Sequence, residues 1–316
     1  MQASPLFIGV DVSKSELVIA TPEHQLGCVP NKASSIKAWL GKVPADALIA
    51  MESTGRYHGL LAQLSVQAGR KVYVLNARDV YYYARALGTR AKTDRVDAGV
   101  IARYLAEQHV RLHPWEPGSA VQQQLQCLLK RRAQAVVHHA ALRQSFTEVE
   151  ISGDALQALQ GAFDALLKAI DAQVNRLIAS DVQMAQGYKR LNTIVGIGPQ
   201  TGALLTVLLS RFAFANADAL VAYSGLDPRP NDSGAKRGRR RLSKKGPALL
   251  RRQMYLAGLS TTHSKLFGPY YQGLRARGLK STEAIVILGR KLLRVAFAVW
   301  KSGEVFDPAR VGVKMA

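Results

Sequence analysis

Hydrophobic residues in the first third of the chain form short runs that predict strands, and these runs alternate with segments of helical spacing. The first two predicted strands, 7–13 and 17–21, are joined by a tight Ser-Lys-Ser turn, and a third is predicted at 26–30. Two later runs, at 47–52 and 71–76, predict further strands. The predicted helices lie at 35–41, 58–68, 77–87 and 94–108.

The order of these elements indicates the fold class. Three meandering strands followed by alternating helices and strands are typical of a ribonuclease-H-like fold, so we predict an α/β domain of that class. Pro114 and Pro117 interrupt the pattern. The first domain is therefore predicted to cover residues 1–118.

The next segment, 119–186, is rich in Ala, Leu and Gln, with apolar positions at helical spacing. It predicts two long helices, 121–149 and 155–185, folded back on each other as an antiparallel coiled-coil hairpin with a break at Ser152-Gly153. One predicted seam is marked by Leu125, Leu128, Leu129 and Val136. The pattern leaves two interpretations open, namely a protruding dimerisation hairpin and the helical core of a neighbouring domain.

The last segment, 187–316, is predicted to be mainly helical, with helices at 212–223, 247–260 and 281–301. It opens on a helix, a Gly-Ile-Gly turn and a second helix, which is the layout of a helix-hairpin-helix. Gly196 and Gly198 are therefore candidates to present backbone N–H groups to a DNA phosphate. Residues 225–246 are rich in Gly, Pro and Arg without apolar periodicity, which predicts a loop.

The distribution of charge points to a polyanionic partner. The chain holds 43 Lys and Arg against 22 Asp and Glu, a formal net charge of +21. Residues 187–316 contain 23 of the basic and only 6 of the acidic side chains, so most of the excess lies in the last segment. A segment of this kind is expected to grip the phosphate backbone of nucleic acid.

Composition excludes several other classes of protein. Two cysteines, Cys28 and Cys127, are too few for a disulfide scaffold or a thiolate zinc cluster. No apolar run approaches the roughly 20 residues that span a bilayer, and the N-terminus shows no secretory signal. We therefore expect a cytoplasmic protein in a reducing compartment, associated with the bacterial nucleoid.

Four carboxylates are candidate metal ligands. Asp11 lies in an otherwise apolar strand, and Glu52 ends another strand at the edge where open α/β sheets gather their sites. Asp94 and Asp97 are three residues apart and share one face of a helix. Singly, Glu52 or the two aspartates could instead favour a helix N-terminus. Together, the four hard oxygen ligands favour Mg²⁺ and phosphodiester chemistry.

Ser233 stands at the start of the most basic stretch of the chain. From Lys236 to Arg252 there are nine basic residues and no acidic one. This positive field could activate the Ser233 hydroxyl as a nucleophile, although a serine in a glycine-rich stretch is also a common structural residue. The rival nucleophiles are Tyr223, Ser224 and Ser243. The candidate phosphate-binding residues of this stretch are Lys236, Arg237, Arg239, Arg240, Arg241, Lys244 and Lys245.

Several motifs in order along the chain resemble one family of DNA-mobilising enzymes. They are GVDVSKSELVIA, AMESTGRYH, KTDRVDAGVIARYL, VGIGPQTGALL and YSGLDPRPNDSGAKRGRRRLSKKGPALLRRQMYLA. With the four acids and the late Asp-Ser-Gly, the chain resembles the DEDD insertion-sequence transposases of the IS110 family over nearly its whole length.

The resemblance implies more than the residues alone could give. It implies a RuvC-like catalytic domain at 1–118, a coiled-coil region at 119–186 and a transposase domain at 187–316. It implies Mg²⁺ held by the four acids, with Ser233 as the nucleophile that joins covalently to DNA. It also implies a non-coding bridge RNA that pairs with donor and target DNA. Separately, a recombinase must hold two DNA segments, and the neutral Ala- and Leu-rich hairpin at 119–186 offers a packing surface, so we predict a homodimer or homotetramer.

Two alternatives to a recombinase remain from the sequence. The first is a metal-dependent RuvC-like nuclease or junction resolvase, in which water is the nucleophile and Ser233 is only structural. The second is a non-enzymatic nucleic-acid packaging protein, which would have no need of Asp11 and Glu52 in apolar strands.

Overall fold

The computed structural model describes residues 5–53, 55, 57–88, 94–149, 153–230, 232–233, 236–238 and 240–310. The chain divides into two compact units, 1–117 and 118–316. Within the described ranges, no helix combines the length and the apolar character needed to cross a membrane.

The first unit is built on a five-stranded mixed sheet. Its strands are β1 (Phe7–Val12), β2 (Glu16–Ala20), β3 (Gln25–Pro30), β4 (Leu48–Glu52) and β5 (Lys71–Leu75). The spatial order is β3-β2-β1-β4-β5, with β2 antiparallel to both β1 and β3, and with β1, β4 and β5 parallel. The five predicted strands are confirmed, and the sheet fits a ribonuclease-H-like domain.

Helices cover both faces of this sheet. They are α1 (Ala33–Leu40), α2 (His58–Gln67), α3 (Ala77–Ala86) and α4 (Asp94–Gln108). Side chains alternate between the faces of a strand. Accordingly, Ile8 of β1 is buried with Ile36 of α1 and Leu61 of α2, whereas Phe7 packs on the opposite face with Ile101 of α4.

Gly9 allows α4 to lie directly on β1. A Cβ atom at Gly9 would stand 2.2 Å from the carbonyl oxygen of Ala98 and 2.3 Å from the backbone nitrogen of Ala102. Only a residue without a side chain fits between this strand and this helix.

The second unit is mainly helical, as the sequence predicts. Its helices are α5 (Ala120–Ser145), α6 (Ala155–Ala179), α7 (Val182–Leu191), α8 (Pro199–Arg211), α9 (Ala217–Ser224), α10 (Ala248–Ser260), α11 (Gly268–Ala276) and α12 (Ser281–Ser302). The core of this unit gathers Leu205 of α8, Met254 of α10 and Leu288 of α12, all of which are fully buried.

Helices α5 and α6 form an antiparallel pair. Arg132 Nη2 donates to Asp171 Oδ2 at 2.8 Å, and the His139 ring stacks on Phe163 with centroids 5.0 Å apart. The base of the pair is buried against α8, in a cluster that contains Leu125, Leu129, Val174, Ile178, Ala203 and Val207. The base therefore belongs to the helical core of the second unit, while many side chains farther along both helices are exposed.

Two predicted helices have different bounds in the structure, and one further helix was not predicted. The long helix predicted at 155–185 ends at Ala179, because Asp181 caps a new helix by accepting from the Met184 backbone N–H. The helix predicted from residue 212 begins at Ala217, where Asn216 caps it through the Ala219 N–H. Helix α11 was not expected from its short, Gly- and Pro-led sequence.

Residues 225–246 are not a simple loop, which corrects the sequence prediction. Four two-residue strands lie within them: β6 (Pro228–Arg229), β7 (Asp232–Ser233), β8 (Lys236–Arg237) and β9 (Arg241–Leu242). β6 pairs with β9 and β7 with β8, both antiparallel, so the segment doubles back on itself. We call residues 225–246 the β-arm.

Candidate active site

Asp11 and Glu52 lie side by side at one edge of the first unit's sheet. Val10 pairs with Met51 in the parallel β1–β4 ladder, and the two acids are the next residue on each strand. Both side chains are half-buried. Parallel strands ending together are where α/β folds place catalytic groups, and the register places Asp11 and Glu52 side by side at this edge.

Both acids point to the face that α4 covers. Gly9, two residues before Asp11, contacts the α4 backbone. Ala50, two residues before Glu52, is buried with Ile101 of α4. Since side chains two residues apart share a face of a strand, Asp11 and Glu52 share the α4 face.

The direction of α4 brings its first turn to the same edge. The Phe7 ring lies 5.0 Å from His109, just beyond the end of α4, whereas Gly9 meets Ala98 near the beginning of that helix. Helix α4 therefore runs antiparallel to β1, and its first turn lies toward Asp11. Asp97 is half-buried in this turn. Asp94 begins α4, but its side chain lies outside the described residues.

Asp11 and Glu52 share one face of the sheet and Asp97 lies in the helix turn beside them, but the described side chains do not form a ligand cluster. Among those side chains, no group of three His, Cys, Asp or Glu residues is close enough together to hold a metal ion. The chemistry of the donors nevertheless fits a divalent cation. Carboxylate oxygens from β1, β4 and α4 are hard ligands of the kind that Mg²⁺ prefers.

Ser233 is exposed at the end of β7, where it pairs with Lys236. The hydroxyl groups of two rival nucleophiles are instead buried and hydrogen-bonded within the protein. The Ser224 hydroxyl is buried and donates to the Val221 carbonyl at 2.6 Å. The Ser243 hydroxyl is buried and donates to Asp227. Burial raises the pKa of Tyr223, against a smaller opposing effect of Arg211.

The base of the β-arm is fixed by close backbone contacts. Lys244 N donates to the Gly225 carbonyl at 3.0 Å, and Gly225 adopts a left-handed conformation with φ 69°. A Cβ atom at Gly246 would lie 1.8 Å from the Tyr223 carbonyl oxygen. The Arg251 guanidinium of α10 also donates to the Gly246 carbonyl. The first and last residues of the β-arm, Gly225 and Gly246, therefore lie in close backbone contact.

Four of the seven predicted phosphate-binding residues of the β-arm have exposed side chains in the structure. Exposed side chains in and beside β9 are those of Arg240, Arg241, Lys244 and Lys245. Arg239 lies outside the described residues, as do the side chains of Lys236 and Arg237.

The two glycines of the Gly-Ile-Gly turn have different surroundings. Gly196 has φ 90°, and a Cβ atom there would stand 2.3 Å from Thr261 Cγ2, so packing alone accounts for this glycine. Gly198 is exposed at the N-cap of α8, with open space around it. Gly198 is thus the better candidate to admit a phosphate.

The residues that sequence reasoning missed are the positioning glycines. Gly9 sets the distance between Asp11's strand and α4, and Gly225 and Gly246 close the base of the β-arm. The signals available in the sequence were a glycine inside an apolar strand and two glycines that flank a basic stretch.

The first unit has a mixed sheet with carboxylates at the ends of its parallel strands, and it is joined in sequence to a strongly basic helical unit. This combination defines a ribonuclease-H-like enzyme that acts on nucleic acid. Comparisons with known proteins specify the class. Residues 8–149 match the profile of the DEDD transposase domain of IS110 elements, and residues 188–272 match that of the transposase IS116/IS110/IS902 family.

Curated relatives agree with these profiles. The pilin gene-inverting protein of Moraxella lacunata is 28% identical, over 82% of this chain and 81% of the relative. An uncharacterized 42 kDa protein of insertion element IS900 from Mycobacterium paratuberculosis is 24% identical, over 97% of this chain and 98% of its own length. The chain belongs to the IS110 family of transposases, and it is a DNA transposase or recombinase.

Proposed function

We propose that this protein cuts and rejoins donor and target DNA through a covalent bond between Ser233 and a DNA phosphate. The observation that carries the proposal is the contrast among hydroxyl groups near the β-arm. Ser233 is exposed beside basic residues, whereas the hydroxyls of Ser224 and Ser243 are buried and hydrogen-bonded within the protein. Only an accessible hydroxyl can approach a DNA phosphate.

The serine step conserves the number of phosphodiester bonds. The Ser233 oxygen forms a bond to phosphorus while a bond from phosphorus to a deoxyribose oxygen breaks, and the departing oxygen leaves with a proton as a free hydroxyl. Attack by another strand's hydroxyl on the phosphoserine then reverses the step and joins new ends. Arg240 and Arg241, both exposed, would offset the negative charge that develops on the phosphate.

The acids of the first unit would hold Mg²⁺. Asp11, Glu52, Asp94 and Asp97 are the proposed ligands, because three of the four lie at one sheet edge on the α4 side and the fourth begins α4. When bound, the ion would supply charge stabilisation at the phosphate and the leaving oxygen. The acids and Ser233 belong to different units, so the mechanism requires them to meet within one chain or between subunits.

The same proposal includes the RNA and the subunit partners that the sequence analysis predicts. We propose that a bridge RNA guides the choice of donor and target DNA, and that the enzyme works at the nucleoid as a homodimer or homotetramer. A second apolar stripe on α6 supports assembly. Its members are spaced four and three residues apart and are all exposed: Ala155, Leu159, Ala162, Leu166 and Ala169. This is the spacing of a coiled-coil seam.

The water-using nuclease is the second candidate, because the carboxylate edge alone could serve it. The test is to incubate the full-length protein, RNA and end-labelled DNA with Mg²⁺, and then to denature the products. A label that migrates with denatured protein supports the serine mechanism. Cut DNA that carries no protein, with wild type and Ser233→Ala equally active, supports the nuclease instead.

A further inference from the structure

Helix α3 carries two exposed tyrosines in line with two arginines. Tyr81 is 55% exposed and Tyr82 is 53% exposed, which is unusual for large aromatic side chains on a helix that packs on a core. Arg78 and Arg85 are exposed as well. We call these four residues the α3 platform.

Each arginine of the α3 platform stands beside one of its rings. The Arg78 guanidinium carbon lies 5.6 Å from the Tyr82 ring centroid, and that of Arg85 lies 5.9 Å from the Tyr81 centroid. The two rings meet edge to face, with centroids 5.5 Å apart. Cations and aromatic faces therefore form one continuous surface about two helical turns long.

The side of α3 opposite the platform packs on the core of the first unit. The opposite side of the helix is anchored by Val80, which is buried, and by the Tyr83 ring, which meets Tyr104 of α4 at 5.1 Å. Because α3 is fixed by this inner face, its outer face is a rigid surface whose exposed rings call for another explanation.

The platform lies close to the carboxylate edge. Leu75, the last residue of β5, pairs with Glu52, and Asn76 then caps α3 by accepting from the Arg78 N–H at 2.9 Å. At 1.5 Å per residue, Tyr81 is about 8 Å along the helix from that cap. Helix α3 also packs beside α4, whose first turn carries Asp94 and Asp97.

We propose that the α3 platform stacks unpaired bases of a single-stranded nucleic acid and holds that strand beside the carboxylates. The rings of Tyr81 and Tyr82 offer a stacking surface to any base, and the two arginines attract the adjoining phosphates. Bases within a duplex are already stacked on each other, so exposed rings favour a single strand. The net charge of +21 favours such a polyanion. This inference rests on the proposed function, since it assumes a nucleic-acid substrate or guide.

The test measures binding of fluorescent single strands to the full-length protein by anisotropy, with DNA and RNA of one sequence and a matching strand without bases. We expect Tyr81→Ala/Tyr82→Ala to bind base-bearing strands at least about tenfold more weakly. Tyr81→Phe/Tyr82→Phe should bind like wild type, because stacking needs the rings and not the hydroxyls. On the strand without bases, wild type and both variants should bind equally. Whichever of DNA and RNA loses more affinity is the strand that the platform holds.

Leu60→Ala is the matched control, because Leu60 is an exposed apolar side chain on α2, on the other side of the sheet. It should leave binding unchanged. A folded Tyr81→Ala/Tyr82→Ala variant that binds both strands as tightly as wild type would overturn the inference. If that variant instead changed the molar mass of the protein, the platform would be a contact with a second copy. Wild type that bound no strand at all would overturn the proposed function as well.

Discussion

Asp11 differs from the exposed acids of this chain in its surroundings. It is half-buried in a strand of apolar residues and points to the α4 side of the sheet, beside Glu52 on the next strand. A carboxylate in such a place is costly unless it is balanced by a cation or by hydrogen bonds. This half-buried position beside Glu52 supports the proposed metal-binding role of Asp11.

We expect Asp11→Asn to reduce DNA cleavage by about a hundredfold or more, because a carboxamide is nearly isosteric but a much poorer ligand for a divalent ion. Stability should change by less than about 1 kcal/mol. Cleavage assays on full-length protein, together with thermal unfolding, would measure both. The matched control is Asp46→Asn, an exposed acid of the same unit, which should keep full activity. Normal cleavage by Asp11→Asn would exclude the metal site.

At the scale of elements, the packing of α4 on β1 decides where the acids lie. The contact is made by the α4 backbone across Gly9, so the helix lies closer to the strand than a residue with a side chain would allow. This closeness fixes the separation between Asp11 and the first turn of α4.

Gly9→Ala should destabilise the first unit by about 3 kcal/mol or more, because the new methyl group would overlap backbone atoms that have no room to rotate away. Urea unfolding followed by tryptophan fluorescence would measure the change. Gly59→Ala is the control: it lies in α2 with open space around it, and it should be neutral or stabilising by up to about 1 kcal/mol. Equal unfolding midpoints for the two variants would contradict the packing described for Gly9.

The strands of the first unit could be predicted from the sequence, whereas those of the β-arm could not. The strands of the first unit are apolar runs such as Phe7–Val12, whose pattern is set by burial on both faces, and they were predictable. The β-arm was not, because its strands are two residues long and carry arginine and lysine, which leaves no periodicity to detect. The Ser180–Asp181 break was hidden because apolar spacing continues across it.

For the site, residue types and strand positions made Asp11 and Glu52 candidates, and the β1–β4 register places them side by side. The residues alone could not choose among Ser233, Ser224 and Ser243 as candidate nucleophiles, since the exposure of each hydroxyl depends on tertiary packing. The α3 platform was not predicted, because the sequence of three successive tyrosines does not show which ring is buried and which two are exposed.

At the scale of the whole molecule, charge is divided between the parts of the chain. Residues 1–118 have 14 basic and 10 acidic side chains, and residues 119–186 have equal numbers of each. The strongly basic remainder includes the β-arm. We therefore expect nucleic-acid affinity to depend on salt mainly through residues 187–316.

Arg240→Gln/Arg241→Gln should lower the slope of log affinity against log salt by about 0.9 for each duplex phosphate contact that is lost. Binding titrations of the full-length protein on duplex DNA at several salt concentrations would give the slopes. Arg176→Gln, an exposed arginine in the neutral middle segment, should leave the slope unchanged. Equal slopes for all three proteins would place the phosphate contacts elsewhere.

The outer stripe of α6 predicts how copies associate. Leu159→Glu/Leu166→Glu places charges on two exposed positions of this stripe, so each chain should still fold while assembly on RNA and DNA is lost. Light scattering of the loaded complex would report the molar mass. Lys168→Glu, an exposed neighbour off the stripe, is the control and should assemble normally. Unchanged mass for the double variant would rule out this seam.

The central claim is that Ser233 becomes covalently bonded to DNA. The most direct measurement is to trap the reaction with labelled DNA, digest the protein and DNA, and identify by mass spectrometry the peptide that carries a nucleotide. Our account predicts a nucleotide on Ser233, its disappearance in Ser233→Ala and its retention in Ser243→Ala. A nucleotide on Tyr223, Ser224 or Ser243, or cleavage at the normal rate by Ser233→Ala, would contradict the account.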